Sequence, residues 1–236
     1  MLGRDHALLG AAAYLAGAPS IARLAGLPMS PAELAVGTCV AAGFALLPDI
    51  DEPHSTLSRK LGPVTGAVSV AAKTVSGGHR HGTHSLLFVA LATWGAYLSL
   101  AWNPTVPHLG HVPAAAMTVV AVAMLLVLRI ILPLWIGRKG LVALVLVVAA
   151  AVFWVAHAKV LRYWLPWSVA AGVAMHLVGD VLTAEGVPLF WPLPGRVAVP
   201  LVGHTQSFRE TVLGLSLSLA IVVLGYFELV RPILAR

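Results

Sequence analysis

Residues 113–133 read PAAAMTVVAVAMLLVLRIILP, a stretch of 21 residues in which Arg129 is the one charged side chain. The hydrocarbon core of a bilayer is about 30 Å thick, so a helix needs about 20 apolar residues to cross it. Residues 141–158, LVALVLVVAAAVFWVAHA, form a second stretch of 18 residues without Asp, Glu, Lys or Arg. The sequence therefore predicts two transmembrane helices, Pro113–Pro133 and Leu141–Ala158.

The composition of the whole chain is typical of a membrane protein. Hydrophobic residues make up 59% of the 236 residues and charged residues 10%, against about 25% charged residues in ordinary soluble domains. Four more segments are apolar enough to cross a bilayer: Pro31–Leu47, His84–Trp102, Pro166–Thr183 and Thr211–Val230. Met1–Ser20 has the outline of a signal peptide, but we interpret it as a short retained first helix because His6 belongs to the candidate site described below.

These segments predict an all-α fold, a polytopic membrane bundle of about six to seven transmembrane helices that forms a single domain over residues 1–236. With the N-terminus inside, ten of the fifteen Lys and Arg residues lie on the inner side, as the positive-inside rule requires. The same orientation collects most histidines and acids on that side. We therefore expect a protein of the inner (plasma) membrane with its site at the cytoplasmic face. The basic residues are spread over many connections, so no nucleic-acid partner is expected.

Two carboxylates follow the second apolar segment, in Leu47-Pro48-Asp49-Ile50-Asp51. In an extended backbone the side chains at i and i+2 point to one side, so Asp49 and Asp51 would reach one centre. Two like charges at a membrane interface repel each other unless a cation or a shared proton lies between them. The alternative is a solvated turn with an Asp cap.

A histidine-rich motif precedes the next apolar segment and contains His79, Arg80, His81, Thr83, His84 and Ser85. Histidine is a frequent ligand of zinc and other first-row metals, and Arg80 is suited to a phosphate or a carboxylate. A third motif, His176 and Asp180, has the i, i+4 spacing that places both side chains on one side of a helix. Taken alone, this pair is also consistent with a His–Asp hydrogen bond whose role is only to hold helices together.

Seven residues from four segments form a candidate metal-ligand set on one membrane face: His6, Asp49, Asp51, His79, His84, His176 and Asp180. Imidazoles and carboxylates suit zinc, manganese or iron. One ion needs only three or four protein ligands, so seven candidates predict two or more divalent ions, most simply zinc, or ligands supported by outer residues.

Three motifs in this order resemble the YdjM-type membrane-bound metal-dependent hydrolases. The matching stretches are Leu46–Asp51, His79–Leu87 and His176–Leu189, and the resemblance extends from Met1 to about Glu210. It implies a helical inner-membrane protein and a hydrolase related to zinc-dependent phospholipase C and single-strand nucleases, so a nuclease-like activity stays open. Two positions depart from the family pattern: His81 stands where the family has Gly, and Glu52 where some relatives carry His.

The resemblance also implies roles for individual residues. The family's N-terminal histidine corresponds to His6, and Glu210 to a later family acid. The metal ligands would be the seven residues above, with Asp49, Asp51 and Arg80 taking part in catalysis. Four residues would support the ligands without binding the ion themselves: His81, Thr83, Ser85 and Glu210.

From the sequence we therefore expect a metal-dependent hydrolase that cleaves a phosphoester of a membrane lipid or lipid-linked phosphate by metal-activated water. A divalent-metal transporter would need a polar path through the bilayer, whereas Pro113–Pro133 and Leu141–Ala158 carry only Arg129 and His157, near their ends. A non-catalytic metal-binding membrane protein is the other alternative.

Overall fold

The computed structural model describes residues 1–52, 63–78, 80–108, 110–131, 140, 146–151 and 163–235. The fold is mostly helical. Its helices are α1 (Gly3–Leu24), α2 (Pro31–Phe44), α3 (Pro63–Ser76), α4 (Leu86–Ser99), α5 (Ala114–Ile131), α6 (Trp164–Val181), α7 (Phe208–Gly225) and α8 (Arg231–Leu234). Shorter elements are the 3₁₀ turns Pro48–Asp51 and Gly82–His84, the π-helical turn Tyr226–Val230, and the antiparallel pair β1 (Thr105–Val106) and β2 (Gly110–His111).

Three of the described helical segments are long and apolar enough to cross a membrane: Gly3–Leu24, Pro31–Asp51 and Phe208–Leu234. Helix α4 and the first part of α5 are apolar but shorter. Helices lie in five of the six predicted apolar segments, and the sixth, Leu141–Ala158, lies mostly outside the described residues. The all-α class is confirmed, while the number of six to seven crossings stays a prediction.

Serine residues start three of these helices. The Ser30 hydroxyl accepts a hydrogen bond from the Glu33 amide, and the Glu33 carboxylate accepts one from the Ser30 amide, which is a complete capping box. Ser85 and Ser207 cap α4 and α7 in the same way, through their hydroxyl oxygens. Each such cap satisfies backbone N–H groups that have no partner inside the helix.

Helices α1, α2 and α6 pack directly on one another at positions occupied by small residues. A side chain at Gly10 of α1 would place its Cβ 2.8 Å from the Ala41 carbonyl oxygen of α2, and Gly172 of α6 approaches the same oxygen even more closely. Ala41 and Ala45 are fully buried there. Small residues let helix backbones approach closely in membranes, so the ends of these helices are held at fixed positions.

Two connections between helices contain local structure in their described residues. The first, His54–Gly78, contains the helix α3, which the sequence analysis did not predict. The second, Ala184–Glu210, folds back on the end of α6: Val187 pairs with Val197, and the Ala184 amide donates to the Gly203 carbonyl. Helix α3 and the second connection therefore lie beside the end of the bundle where the polar motifs meet.

Candidate metal centre

Four parts of the chain meet at one end of the bundle. The first turn of α1 contributes His6, the 3₁₀ turn after α2 contributes Asp49, the turn before α4 contributes His84, and the last turns of α6 contribute His176 and Asp180. The structure thus brings five of the seven predicted ligands together. The sixth, Asp51, lies behind His84, and His79 lies outside the described residues.

The centre of this cluster contains two imidazole nitrogens and two carboxylate oxygens. The Nε2 atoms of His84 and His176 are 3.2 Å apart. Asp180 Oδ2 lies 3.5 Å from His84 Nε2 and 3.6 Å from His176 Nε2. Asp49 Oδ1 lies 3.7 Å from each of the same two nitrogens. Ligands about 2.0–2.1 Å from a tetrahedral zinc are about 3.3–3.4 Å apart, so the separations among His84, His176 and Asp180 suit one such ion.

Hydrogen bonds on the far side of each ring orient the two nitrogens. His176 Nδ1 is 2.7 Å from the Ala45 carbonyl oxygen, which can only accept, so the ring proton is on Nδ1. The Thr83 hydroxyl donates to the Asp51 carboxylate and therefore accepts from His84 Nδ1, 3.0 Å away. Both Nε2 atoms consequently present lone pairs to the centre, as in metal-binding histidines whose other nitrogen has an outer partner.

Two further features of these residues suit a divalent cation: an unpartnered carboxylate oxygen and the close grouping of the ligand atoms. Asp180 is 1% exposed, and its Oδ2 atom has no hydrogen-bond partner among the described residues. A buried carboxylate oxygen without a partner is costly, and a cation at the centre would remove that cost. Ligand atoms lie within 4.8 Å of one another in two groups: His6, Asp49 and His176, and His84, His176 and Asp180.

The two groups share His176, whose Nδ1 is already bonded to Ala45. Because its single remaining nitrogen binds one ion, the described residues cannot complete both groups at once. His6 lies beside the centre: its Nε2 is 3.3 Å from Asp180 Oδ1, and its ring stacks on that of His176 with centroids 3.9 Å apart. His6 Nδ1 is buried without a hydrogen-bond partner in the described part of the chain.

Arg80 lies at the edge of the centre in a left-handed backbone conformation, with φ of 55°. Its guanidinium donates to Asp180 Oδ1 at 3.3 Å and to Glu185 Oε2 at 2.7 Å. Its backbone amide donates to Asp51 at 3.2 Å. Glu185 is largely exposed, so the cation of Arg80 is held between the buried ligand Asp180 and the surface.

Asp51 faces away from the two Nε2 atoms. It is fully buried and accepts hydrogen bonds from the Arg80 amide and the Thr83 hydroxyl. The backbone at Asp49 and Asp51 forms a 3₁₀ turn instead of the extended strand that would direct both side chains to one side. With about three residues per turn, i and i+2 point in different directions, so the two carboxylates reach opposite edges of the His84 ring.

The remaining predicted site residues have structural contacts. Ser85 donates to the Gly82 carbonyl and caps α4, while His81 is exposed. Glu210, 1% exposed, accepts from the Leu2 amide at 2.6 Å and the Gln206 amide at 2.5 Å. Glu210 thereby joins the start of α7 to the start of α1, the helix that carries His6.

The sequence analysis missed two residues that lie next to His6, one in space and one in the chain. A Cβ at Gly179 would lie 2.9 Å from His6 Nδ1, so only glycine lets α1 approach α6 here. The position of Gly179 between His176 and Asp180 could have indicated this close helix contact. Asp5 is fully buried, and its Oδ2 lacks a hydrogen-bond partner among the described residues. An acid next to His6 in an apolar segment could have indicated this, because buried charges in membranes are usually functional or paired.

Comparison with known proteins identifies one relationship. No protein of curated function and no solved structure matches this chain. A family model, described as YdjM inner membrane protein, matches residues 1–135 and 140–231. The match includes every residue of the candidate metal centre, and the apolar helices agree with a membrane location. The chain therefore belongs to the YdjM inner membrane protein family.

Proposed function

We propose that this protein is a membrane-bound metal-dependent hydrolase that cleaves a phosphoester at the cytoplasmic face of the inner membrane. The observation that carries the proposal is the pair of Nε2 atoms of His84 and His176, 3.2 Å apart and flanked by carboxylates of Asp49 and Asp180. Such a donor set is typical of hydrolytic metal sites that bind zinc, manganese or iron.

His84, His176, Asp180 and Asp49 would hold the first divalent ion, for which zinc is the preferred candidate. A second ion would depend on His6 and on His79, since the described groups share His176. An ion bound here supplies positive charge that makes water more acidic and stabilises negative charge on the phosphoryl oxygens.

The surrounding residues supply positioning and proton transfer. The Asp49 side chain is 23% exposed and the other three ligands are buried, so Asp49 is the ligand that water reaches. In the proposed reaction the water oxygen forms a bond to phosphorus, and the bond from phosphorus to the leaving oxygen breaks. The proton released by water passes to Asp49 and then to the leaving oxygen.

Arg80 would bind the phosphate during this reaction. Its guanidinium is already held beside Asp180, and planar guanidinium groups recognise phosphate through paired hydrogen bonds. Because Glu185 is exposed, a substrate phosphate can replace it as the partner of Arg80 without leaving a buried charge alone.

The test is hydrolysis of a panel of phosphoesters by purified protein loaded in turn with zinc, manganese and iron. Wild type and His111→Ala, an exposed histidine of β2, should be active, whereas Asp49→Asn and Arg80→Ala should lose most of the activity while keeping the fold. Full metal loading without cleavage of any phosphoester would leave a transporter or a non-catalytic metal-binding protein as the function.

A further inference from the structure

An apolar cavity of about 360 Å³ lies beside the metal centre. It is open on one side and is lined by α3, α4 and the connection after α6, through Ala72, Val75, Leu87, Phe88, Leu91 and Trp191. This volume is within the range of about 300–1,000 Å³ found for small-molecule pockets. Its walls are almost entirely hydrocarbon, which favours an apolar occupant.

One end of this cavity is lined by two residues that are next to the candidate metal centre in the chain. Ile50 lines the cavity and lies between Asp49 and Asp51 in the chain. Thr83 lines it as well, precedes His84 and donates its hydroxyl hydrogen bond to Asp51. The cavity therefore ends next to the residues that hold and orient the proposed ion.

The outer end of the cavity opens along an apolar stripe on α4. Leu87 and Leu91 line the cavity and are 45% and 51% exposed, and Trp94 and Leu98 continue the stripe at 59% and 47%. These four positions are spaced by four, three and four residues, so they lie along one side of the helix. On an inner-membrane protein, such an exposed apolar stripe contacts lipid hydrocarbon.

We propose that this cavity binds the hydrocarbon chain of a membrane lipid whose phosphate lies at the metal centre. The assignment rests on the proposed function, because it names the substrate class for that same site. Continuity with the α4 stripe gives a chain entry from the bilayer, and Arg80 beside Asp180, only 13% exposed, complements an anionic head group. A soluble phosphate compound would leave the apolar walls exposed to water.

The first experiment is photocrosslinking in vesicles of phosphatidylethanolamine and phosphatidylglycerol that contain a trace of phosphatidic acid with a diazirine in its acyl chain. Adducts are expected on the α4 segment Leu87–Leu91 and on Trp191, and an excess of unlabelled phosphatidic acid should reduce them severalfold. Leu215 and Leu219 of α7, which are 68% and 65% exposed, serve as ordinary lipid contacts whose adducts should not respond to this competitor.

A matched pair of variants tests whether the cavity itself is the binding site. Val75 lines the cavity and is 84% exposed. We therefore expect Val75→Trp to fill the cavity without disturbing the core. Val70→Trp lies on the same helix, is 58% exposed and is not a cavity residue. The competed adducts should fall severalfold in Val75→Trp and stay at the wild-type level in Val70→Trp. Equal adducts in both variants would overturn the assignment.

Crosslinking needs no turnover, so the two proposals can fail separately. Competed adducts in the cavity, together with no hydrolysis of any phosphoester, would support lipid binding and remove the proposed hydrolase activity. The opposite result would be hydrolysis of a soluble phosphoester together with cavity adducts that unlabelled phosphatidic acid reduces no more than those on α7. That result would support the proposed hydrolase activity and contradict lipid binding in this cavity.

Discussion

The Nε2 atoms of His84 and His176 face each other across 3.2 Å, and the Nδ1 atom of each ring is hydrogen-bonded on the far side, to Thr83 or to the Ala45 carbonyl. When both rings are neutral, two lone pairs at this distance repel each other, and the nearby oxygens of Asp49 and Asp180 add negative charge. A cation at this point would convert the repulsion into favourable contacts with both nitrogens and with Asp180, which supports metal binding over a mere link between helices.

Loss of one of these nitrogens should remove the metal. Elemental analysis of detergent-purified protein is expected to give at least one equivalent for wild type and for His111→Ala. In His84→Ala, the Kd for the metal should rise by more than the roughly 10–100-fold that loss of an outer hydrogen-bond partner costs. Asp180→Asn keeps the side-chain shape and should show the same loss, which separates ligand removal from misfolding. Unchanged stoichiometry in both variants would contradict metal binding here.

Thr83 should act through the orientation of His84. Thr83→Val keeps the shape of the side chain but removes the hydroxyl between Asp51 and His84 Nδ1. We expect a roughly 10–100-fold weaker metal affinity, because outer hydrogen-bond partners have effects of this size. Thr83→Ser should restore most of it. The control is Thr74→Val, whose exposed hydroxyl only bonds the Val70 carbonyl; an equal loss there would refute the positioning role.

Much of this architecture could be predicted from local signals. Long apolar segments bounded by Pro, Gly or charged residues predicted the helices, and i, i+4 spacing predicted that His176 and Asp180 act together. The helix α3 was missed because its sequence, PVTGAVSVAAKTVS, mixes small, β-branched and polar residues without a long apolar run. The separate positions of Asp49 and Asp51 were also missed, since only the 3₁₀ turn decides where each carboxylate points.

Contacts made across the whole chain could not be predicted in this way. The bond from the Leu2 amide to Glu210 joins residues 208 apart in sequence, and no spacing rule connects them. The same holds for the Ala45 carbonyl that fixes the His176 tautomer. Both depend on the close packing of α1, α2 and α6, which follows from the small residues at their contacts.

Glu210 should stabilise the start of α1. The Leu2 and Gln206 amides donate to different oxygens of Glu210, and in Glu210→Gln one of these oxygens becomes an NH₂ group that cannot accept, so one of the two amides loses its partner. Leaving a buried donor without a partner costs about 1–3 kcal/mol, so the Tm of the purified protein should fall and His6 should become more accessible to diethyl pyrocarbonate. Glu228→Gln, a partly exposed acid of the π-helical turn, is the comparison. Equal Tm values for the two variants would show that Glu210 does not hold α1.

The packing of α1 can be tested with two glycines of the same helix. A Cβ at Gly10 would meet the Ala41 carbonyl oxygen at 2.8 Å and the Ala45 Cβ at 2.9 Å, whereas at Gly17 the nearest atom is Ile21 Cδ1 at 3.9 Å. Gly10→Ala should therefore lower the Tm and weaken metal binding, because it separates α1 from α2. Gly17→Ala should leave the Tm unchanged or raise it, since alanine favours a helix by up to about 1 kcal/mol over glycine. Similar effects at both positions would contradict close helix contact at Gly10.

The proposed cytoplasmic position of the centre can be tested with single cysteines in a Cys39→Ala background. Lys73→Cys lies on α3 beside the centre and Asn103→Cys lies beyond α4, and both positions are exposed. If α4 crosses the membrane with the centre inside, an impermeant maleimide should label Asn103→Cys in intact cells and Lys73→Cys only after permeabilisation. Labelling of both in intact cells would show that α4 does not cross. The reverse pattern would place the metal centre outside, where its substrate would have to come from the outer leaflet.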